Sequence, residues 1–250
     1  MATRVAVRKT RKRVAALIVA AGEGRRMGAP QTKAFIPLKG IPILAHTIQP
    51  FEACRRIQSL YVVLRKQDLD PWRQKVLHRF PFKKIKPPVA GGVERQDSVR
   101  LGLESIEEDT DVVLIHDGVR PFVDASMIER LLDTVEEAQA AVVAVPAKET
   151  VKVVSSHGQV LDTPAREGLW YVQTPQAFDY RLILDAHRKA LADGIGTTDD
   201  STLVERLGIP VIVVQGSYRN IKITTPEDLI IARALLGDRG PTRSEFEGSQ

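Results

Sequence analysis

The chain has 250 residues, 43% of them hydrophobic and 27% charged, a composition and length suited to one large α/β domain or two small ones. Its net charge of +5 comes from one end: residues 1–13 hold six basic and no acidic side chains, so the remainder carries a net −1 and offers no broad basic face for nucleic acid. A single cysteine, Cys54, excludes an internal disulfide and a cysteine-rich zinc site, and no apolar run reaches the roughly 18 residues of a membrane span.

Val14–Ala20 is predicted as a buried strand, part of an unbroken apolar run that stops at Gly22. Arg11-Lys12-Arg13 before it gives the outline of a short signal peptide, but cleavage at Gly22 would remove this strand. A disordered basic tail over 1–13 and a cytoplasmic protein are therefore expected. Ile43–Cys54 should be a helix opened by Pro42 and bent or ended near Pro50. Ser59–Leu64 reads as a strand, and Leu69–Phe80 as a helix with Asp70 as N-cap and Pro71 at its first position. A short strand over Ile85–Ala90 runs into Gly91-Gly92, followed by a helix over Gln96–Ile106. Asp111–Ile115 is a strand, Ala125–Ala138 a helix with Ile128, Leu131, Leu132 and Val135 on one face, and Ala141–Val145 a strand. This alternation implies right-handed βαβ units and a mostly parallel sheet. The rhythm breaks at Pro146, where Glu149–Val154 and Gln159–Thr163 read as the arms of a β-hairpin. Helices over Tyr180–Leu191 and Asp200–Leu207, a strand over Val211–Gln215 and a helix over Pro226–Leu236 complete the pattern. The expectation is one α/β domain over 14–236 with an inserted arm at about 147–167 and a disordered tail over 237–250.

Ligands of an open parallel sheet bind beyond the carboxyl ends of its strands. After the first strand come Gly22, Gly24 and Gly28 with Arg25, Arg26 and Lys33 close by. Glycines let backbone N–H groups close around phosphate oxygens, and the cations add charge. The spacing G-x-G-x-x-x-G matches neither the dinucleotide fingerprint nor a P-loop. Gly91-Gly92 allow close backbone approach to a ligand, and Ser98 either faces that ligand or hydrogen-bonds within its own helix turn. Asp117, just beyond a buried strand, suits Mg²⁺, with Arg120 to orient it; a purely structural Asp–Arg pair is the competing reading. Thr225, Pro226 and Asp228 have the pattern of a capped helix start, which leaves Lys222 without a structural role. The five histidines show no zinc-ligand spacing, Cys54 reads as a core thiol, Asp199-Asp200 as a helix cap, and Trp72 and Trp170 as packing residues.

In collinear order across about 14–236, the segments Ala20–Lys33, Gly91–Val99, His116–Pro121, Gln173–Phe178, Thr198–Asp200 and Asn220–Thr224 resemble the 2-C-methyl-D-erythritol 4-phosphate cytidylyltransferase family. The resemblance implies a Rossmann-like, mostly parallel α/β sheet of nucleotidyltransferase type, with helices on both faces. It implies an enzyme that joins CTP to the polyol phosphate 2-C-methyl-D-erythritol 4-phosphate with release of pyrophosphate, using Mg²⁺, in the non-mevalonate route to isoprenoids. By position, Arg26 and Lys33 would hold the triphosphate, with Lys222 beside the phosphates. Ala20, Ala21, Gly22, Gly92 and Ser98 would surround cytidine, and Asp117 would bind the metal. The hairpin would be a dimerisation arm whose Thr150 and Arg166 reach the acceptor in the partner's site, where Arg120 also contributes. The family often has Pro before the loop lysine and Gln after it, where this chain has Thr32 and Ala34. The chemistry agrees: a phosphate monoester with a second pKa of about 6 is already a nucleophile at neutral pH and needs no general base. Ribitol 5-phosphate cytidylyltransferases share nearly every motif and differ in the acceptor. From another class, a non-catalytic nucleotide-binding regulator with a basic docking tail would use the same glycine loop. No nucleic-acid or membrane partner is expected.

Overall fold

The computed structural model of the chain describes residues 12–22 and 32–237. Most of the basic tail, the C-terminal stretch from residue 238, and Gly24, Arg25, Arg26 and Gly28 lie outside the described residues. The chain starts with β1 (Val14–Val19) and resumes with a tight turn over Lys33–Phe35 and a small hairpin of β2 (Pro37–Leu38) and β3 (Ile41–Pro42). α1 (Ile43–Ala53) opens after Pro42 and runs through Pro50 without ending there. β4 (Ile57–Leu64) is followed by α2 (Leu69–Trp72), then β5 (Val89–Ala90), α3 (Arg95–Glu104), β6 (Val112–Asp117), α4 (Ala125–Glu137) and β7 (Ala140–Pro146). The arm carries β8 (Val153–Val154) and β9 (Val160–Asp162), paired antiparallel. β10 (Trp170–Asp179), α5 (Tyr180–Ala192), α6 (Ser201–Glu205), β11 (Ile212–Gln215) and α7 (Pro226–Gly237) complete the chain.

The main sheet has seven strands in the order β11-β7-β10-β6-β1-β4-β5. β1 pairs in parallel with β4 and β6, β5 with β4, and β11 with β7. β10 runs antiparallel between β6 and β7. Both faces are covered, which explains why β1 is apolar throughout instead of alternating. Ala16 and Ile18 pack toward the cluster with α1 and α4, while Ala15 and Leu17 pack toward α3, α5 and α6. The helix over Ala125–Glu137 forms as its periodicity predicts, with Ile128, Leu131, Leu132 and Val135 buried. Asp124 accepts the Met127 N–H at 2.7 Å as its N-cap.

Four local expectations change. The helix predicted over Leu69–Phe80 is α-helical only to Trp72, continues as a π-helical turn over Arg73–Leu77 and stops three residues short, and its N-cap position is Asp68, not Asp70. The strand expected from Ile85 shrinks to Val89–Ala90, with one bridge at Ile85, because Pro87 and Pro88 donate no ladder hydrogen bonds. Trp72 is buried as expected, but Trp170 is 39% exposed. β10 itself was not anticipated, because Pro175 interrupts its sequence and polar residues fill its centre.

Candidate active site

The parallel strands end at one edge of the sheet, and there the described residues form a cleft of about 280 Å³. Ala20, Ala21 and Gly22 after β1, Ser98 from α3, Asp117 from β6, Lys33 from the turn after the loop, and Lys222 and Thr224 before α7 all line it. Seven of the residues singled out in the sequence thus come together: Ala20, Ala21, Gly22, Lys33, Ser98, Asp117 and Lys222. Gly92 adjoins them, and its N–H donates to Ser98 Oγ at 3.1 Å. That hydroxyl in turn donates to Glu94 O at 3.1 Å, so Ser98 both faces the cleft and bonds within its own turn. Glycine is required at both positions: a Cβ at Gly91 would lie 2.5 Å from Ala21 Cβ, and one at Gly92 would lie 2.4 Å from Asp97 Cβ.

Asp117 is the electrostatic centre. Its carboxylate is 2.9 Å from Lys222 Nζ, 3.3 Å from Arg95 Nε and 3.5 Å from Arg120 Nε. Burial alone would raise its pKa, but Lys222, Arg95 and Arg120 reverse that and hold it well below the usual carboxylate range. Lys222, left without a structural role by the sequence, has one partner in that carboxylate. The Asp117–Arg120 pair is real, yet it is one of three contacts on a carboxylate that faces the cleft.

A polar lattice fixes Asp117 from behind. His116 Nε2 lies 3.1 Å from Arg120 O, a carbonyl that can only accept, so Nε2 carries the proton and Nδ1 accepts the Thr174 hydroxyl at 3.0 Å. Thr174 Oγ1 then accepts the Asp117 N–H at 3.0 Å. Burial pushes the His116 pKa down to about 4, so the ring is neutral and this arrangement holds through the neutral range. Asn220, fully buried, donates its side-chain amide to Thr174 O at 2.9 Å and Gln173 Oε1 at 3.2 Å, while its main-chain carbonyl accepts from Arg120 Nη1 at 2.8 Å. The register shift in β10 between Val172 and Gln176 frees Gln173 and Thr174 for these bonds.

Arg95 has no role assigned from sequence, though it stands inside the quoted Gly91–Val99 segment. Its Nη2 pairs with Asp200 Oδ2 at 2.8 Å while its Nε reaches Asp117. Asp200 is not a helix cap: it occupies the N-cap position of α6 without a capping bond, and its buried carboxylate sits between Arg95 and His187 Nε2, 3.3 Å away. Burial would raise its pKa, and Arg95 with His187 lowers it instead. Asp199 spends its carboxylate on Gln176 Nε2 and the Ser201 hydroxyl. Asp228 does complete the predicted helix start, accepting from the Thr224 and Thr225 N–H groups at 2.7 and 2.8 Å. Cys54 is a buried thiol with its pKa raised by burial.

Thr150 and Arg166 do not line the cleft of their own chain. Both are exposed at the arm, where Arg166 donates to Lys148 O at 3.0 Å. Arg26 lies outside the described residues. Among the described residues, no three His, Cys, Asp or Glu side chains cluster as a metal cage, and no helix is long and apolar enough to cross a membrane. A single ionised carboxylate facing the cleft nonetheless fits Mg²⁺, which takes one or two carboxylates and completes its shell with substrate phosphates and water.

A family model described as 2-C-methyl-D-erythritol 4-phosphate cytidylyltransferase matches residues 14–238. The chain is 49% identical to 2-C-methyl-D-erythritol 4-phosphate cytidylyltransferase from Geotalea uraniireducens, over 90% of this chain and 97% of that protein. It is 47% identical to the protein of the same name from Clostridioides difficile, over 88% and 92%. Among solved structures it superposes on 4-diphosphocytidyl-2C-methyl-D-erythritol synthase from Anaerococcus prevotii with a TM-score of 0.81 at 35% identity, covering 91% of this chain and 97% of that one. The cytidylyltransferase structure from Thermus thermophilus gives a TM-score of 0.74 at 31% identity, covering 90% and 100%.

Proposed function

Because the chain belongs to the 2-C-methyl-D-erythritol 4-phosphate cytidylyltransferase family, and is thus a CTP-dependent nucleotidyltransferase, we propose that the cleft around Asp117 is where CTP and the acceptor phosphate meet. The enzyme joins CTP and 2-C-methyl-D-erythritol 4-phosphate to give 4-diphosphocytidyl-2-C-methyl-D-erythritol and pyrophosphate, in the non-mevalonate isoprenoid pathway. In that reaction an acceptor phosphate oxygen bonds to the α-phosphorus of CTP while the bond to the bridging oxygen breaks and pyrophosphate leaves.

The observation that carries the site assignment is one ionised carboxylate ringed by Lys222, Arg95 and Arg120 beside a glycine-bounded cleft. Ala20, Ala21, Gly22, Gly92 and Ser98 form the wall against which the cytidine lies. Lys33, which follows β1 in the chain, and Lys222, which follows β11, meet the triphosphate from the same edge of the sheet, with Arg26. Bound through Asp117 and the phosphates, Mg²⁺ would supply charge neutralisation that in-line attack requires. No proton need be removed from the attacking dianion, and His116, neutral with both ring nitrogens engaged, is not positioned to remove one. The test is pyrophosphate release from CTP and Mg²⁺ with methylerythritol phosphate or with ribitol phosphate. Release with the first acceptor is expected. Release with ribitol phosphate alone would reassign the acceptor, and none with either would remove the enzymatic reading.

The arm supports a homodimer. Its strands are only two and three residues long, and Val153, Val154, Val160 and Leu161 are exposed, Leu161 at 63%. An isolated hairpin this short is marginal in water and gains stability when another surface covers its apolar face. In this reading Thr150 and Arg166 reach the partner's acceptor site, where Arg120 holds the same phosphate. The paired change Val154→Asp with Leu161→Asp should give a monomer by sedimentation velocity, with turnover reduced at least tenfold. A dimer that persists would remove the arm from the interface, and a fully active monomer would end the role of Thr150 and Arg166 across it.

A further inference from the structure

We propose that Thr32 is a positioning residue for Lys33, locked by a buried clamp that Arg65 and Asp68 build at the carboxyl end of β4; this rests on the reading of Lys33 as a phosphate ligand. Thr32 directly precedes Lys33 and is only 7% exposed. Its hydroxyl donates to Asp68 Oδ1 at 2.7 Å and accepts from Arg65 Nη2. Arg65 also grips Asp68, with Nε donating to Oδ2 at 2.8 Å and Nη2 to Oδ1 at 3.3 Å. Asp68 is 4% exposed, so its carboxylate cannot exchange these donors freely for water.

The clamp joins two segments that are 36 residues apart. Arg65 follows the last residue of β4, a strand paired on one side with β1 and on the other with β5, so the clamp is anchored to the sheet and not to a neighbouring loop. On the other side of Lys33, Ala34 and Phe35 are buried, and the turn closes with Phe35 N donating to Thr32 O at 3.0 Å and Ile36 N to Lys33 O at 3.1 Å. Lys33 is therefore fixed before and after, with its side chain lining the cleft and Nζ 3.4 Å from Thr224 O. Thr32 has φ −56° and ψ 132°, which lies in the narrow range a proline ring would impose. In this chain a hydroxyl clamp does the fixing that a ring could otherwise do.

Positioning of this kind is felt in turnover, because a shift of about 1 Å in a catalytic group can cost about a hundredfold. Thr32→Val removes the hydroxyl at nearly constant shape. It is expected to lower kcat by about tenfold to a hundredfold while KM for CTP changes less than about threefold. Thr32→Ser, which keeps the hydroxyl, should recover most of the loss. Asp68→Asn should lower kcat similarly, and the double change should cost little more than either alone, because both remove one clamp. Lys33→Ala measured in parallel separates the two readings. Wild-type kcat in Thr32→Val with an inactive Lys33→Ala would overturn the clamp and leave Lys33 in place. Wild-type kcat in Lys33→Ala would overturn both. Additive losses in the double variant, or a loss in Thr32→Val that tracks a fall in Tm and is not restored by Thr32→Ser, would reduce the clamp to a packing feature.

Discussion

Asp117→Asn is expected to lower kcat/KM by about a thousandfold while leaving the fold in place. The side chain keeps its size, and the Asp117 N–H still meets Thr174 Oγ1, so the backbone of β6 has no reason to move. What disappears is the negative charge that three cations face. Lys222, Arg95 and Arg120 then repel one another, and the hard oxygen donor for Mg²⁺ is weakened. Breaking a buried ion pair by removing one partner commonly costs about 3–5 kcal/mol. Here the cost should be smaller, about 1–3 kcal/mol, because Lys222 is 39% exposed and can rehydrate. The sign with pH is fixed by the direction of the shift. A carboxylate held below its unfolded value stabilises the fold at every pH above that value, about 4, and loses its contribution only as pH falls toward its folded value. The Tm gap between wild type and Asp117→Asn should therefore be constant from pH 5 to pH 8. Turnover within tenfold of wild type would remove Asp117 from the metal and phosphate site.

Lys33→Ala is expected to cost about a hundredfold to a thousandfold in kcat, the usual loss when one donor to transition-state charge is removed. Lys33 lines the cleft, where its Nζ lies 3.4 Å from Thr224 O, within reach of a phosphate bound there. Stability should change by less than about 0.5 kcal/mol, because the turn over Lys33–Phe35 is held by its backbone bonds and by buried Ala34 and Phe35. The split between kcat and KM is informative: a rise in KM for CTP with unchanged kcat would mean that Lys33 binds the ground state only. Thermal shift and pyrophosphate release on the same preparation distinguish this from unfolding.

The parallel half of the sheet was legible because buried strands write themselves as apolar runs and amphipathic helices as periodic ones. β1, β4, β6 and β7 with α1, α4 and α5 fall within a few residues of their sequence positions. The antiparallel β10 was not legible, since Gln173, Thr174, Pro175 and Gln176 break the apolar pattern that marks a strand. Those same polar residues are there for the site: Thr174 holds the Asp117 backbone and Gln173 holds Asn220. Asp200 illustrates the limit from the other direction. Its place before a helix suggested a cap, and only the fold shows its carboxylate committed to Arg95 across the cleft wall.

By itself the sequence determined the fold class, the collinear motifs and hence the family, and seven of the residues that line the cleft, because residue type and local spacing suffice for each. It also placed the positive charge on a short tail, leaving a near-neutral body. Tertiary structure alone decided the distant partners: that Asp117 meets Lys222 and Arg95, that Asp200 stands behind Arg95, and that Thr32 is tied to Asp68. Contacts between residues from 22 to 105 positions apart depend on which strand lies beside which, and that order is a property of the packed sheet, not of any one segment.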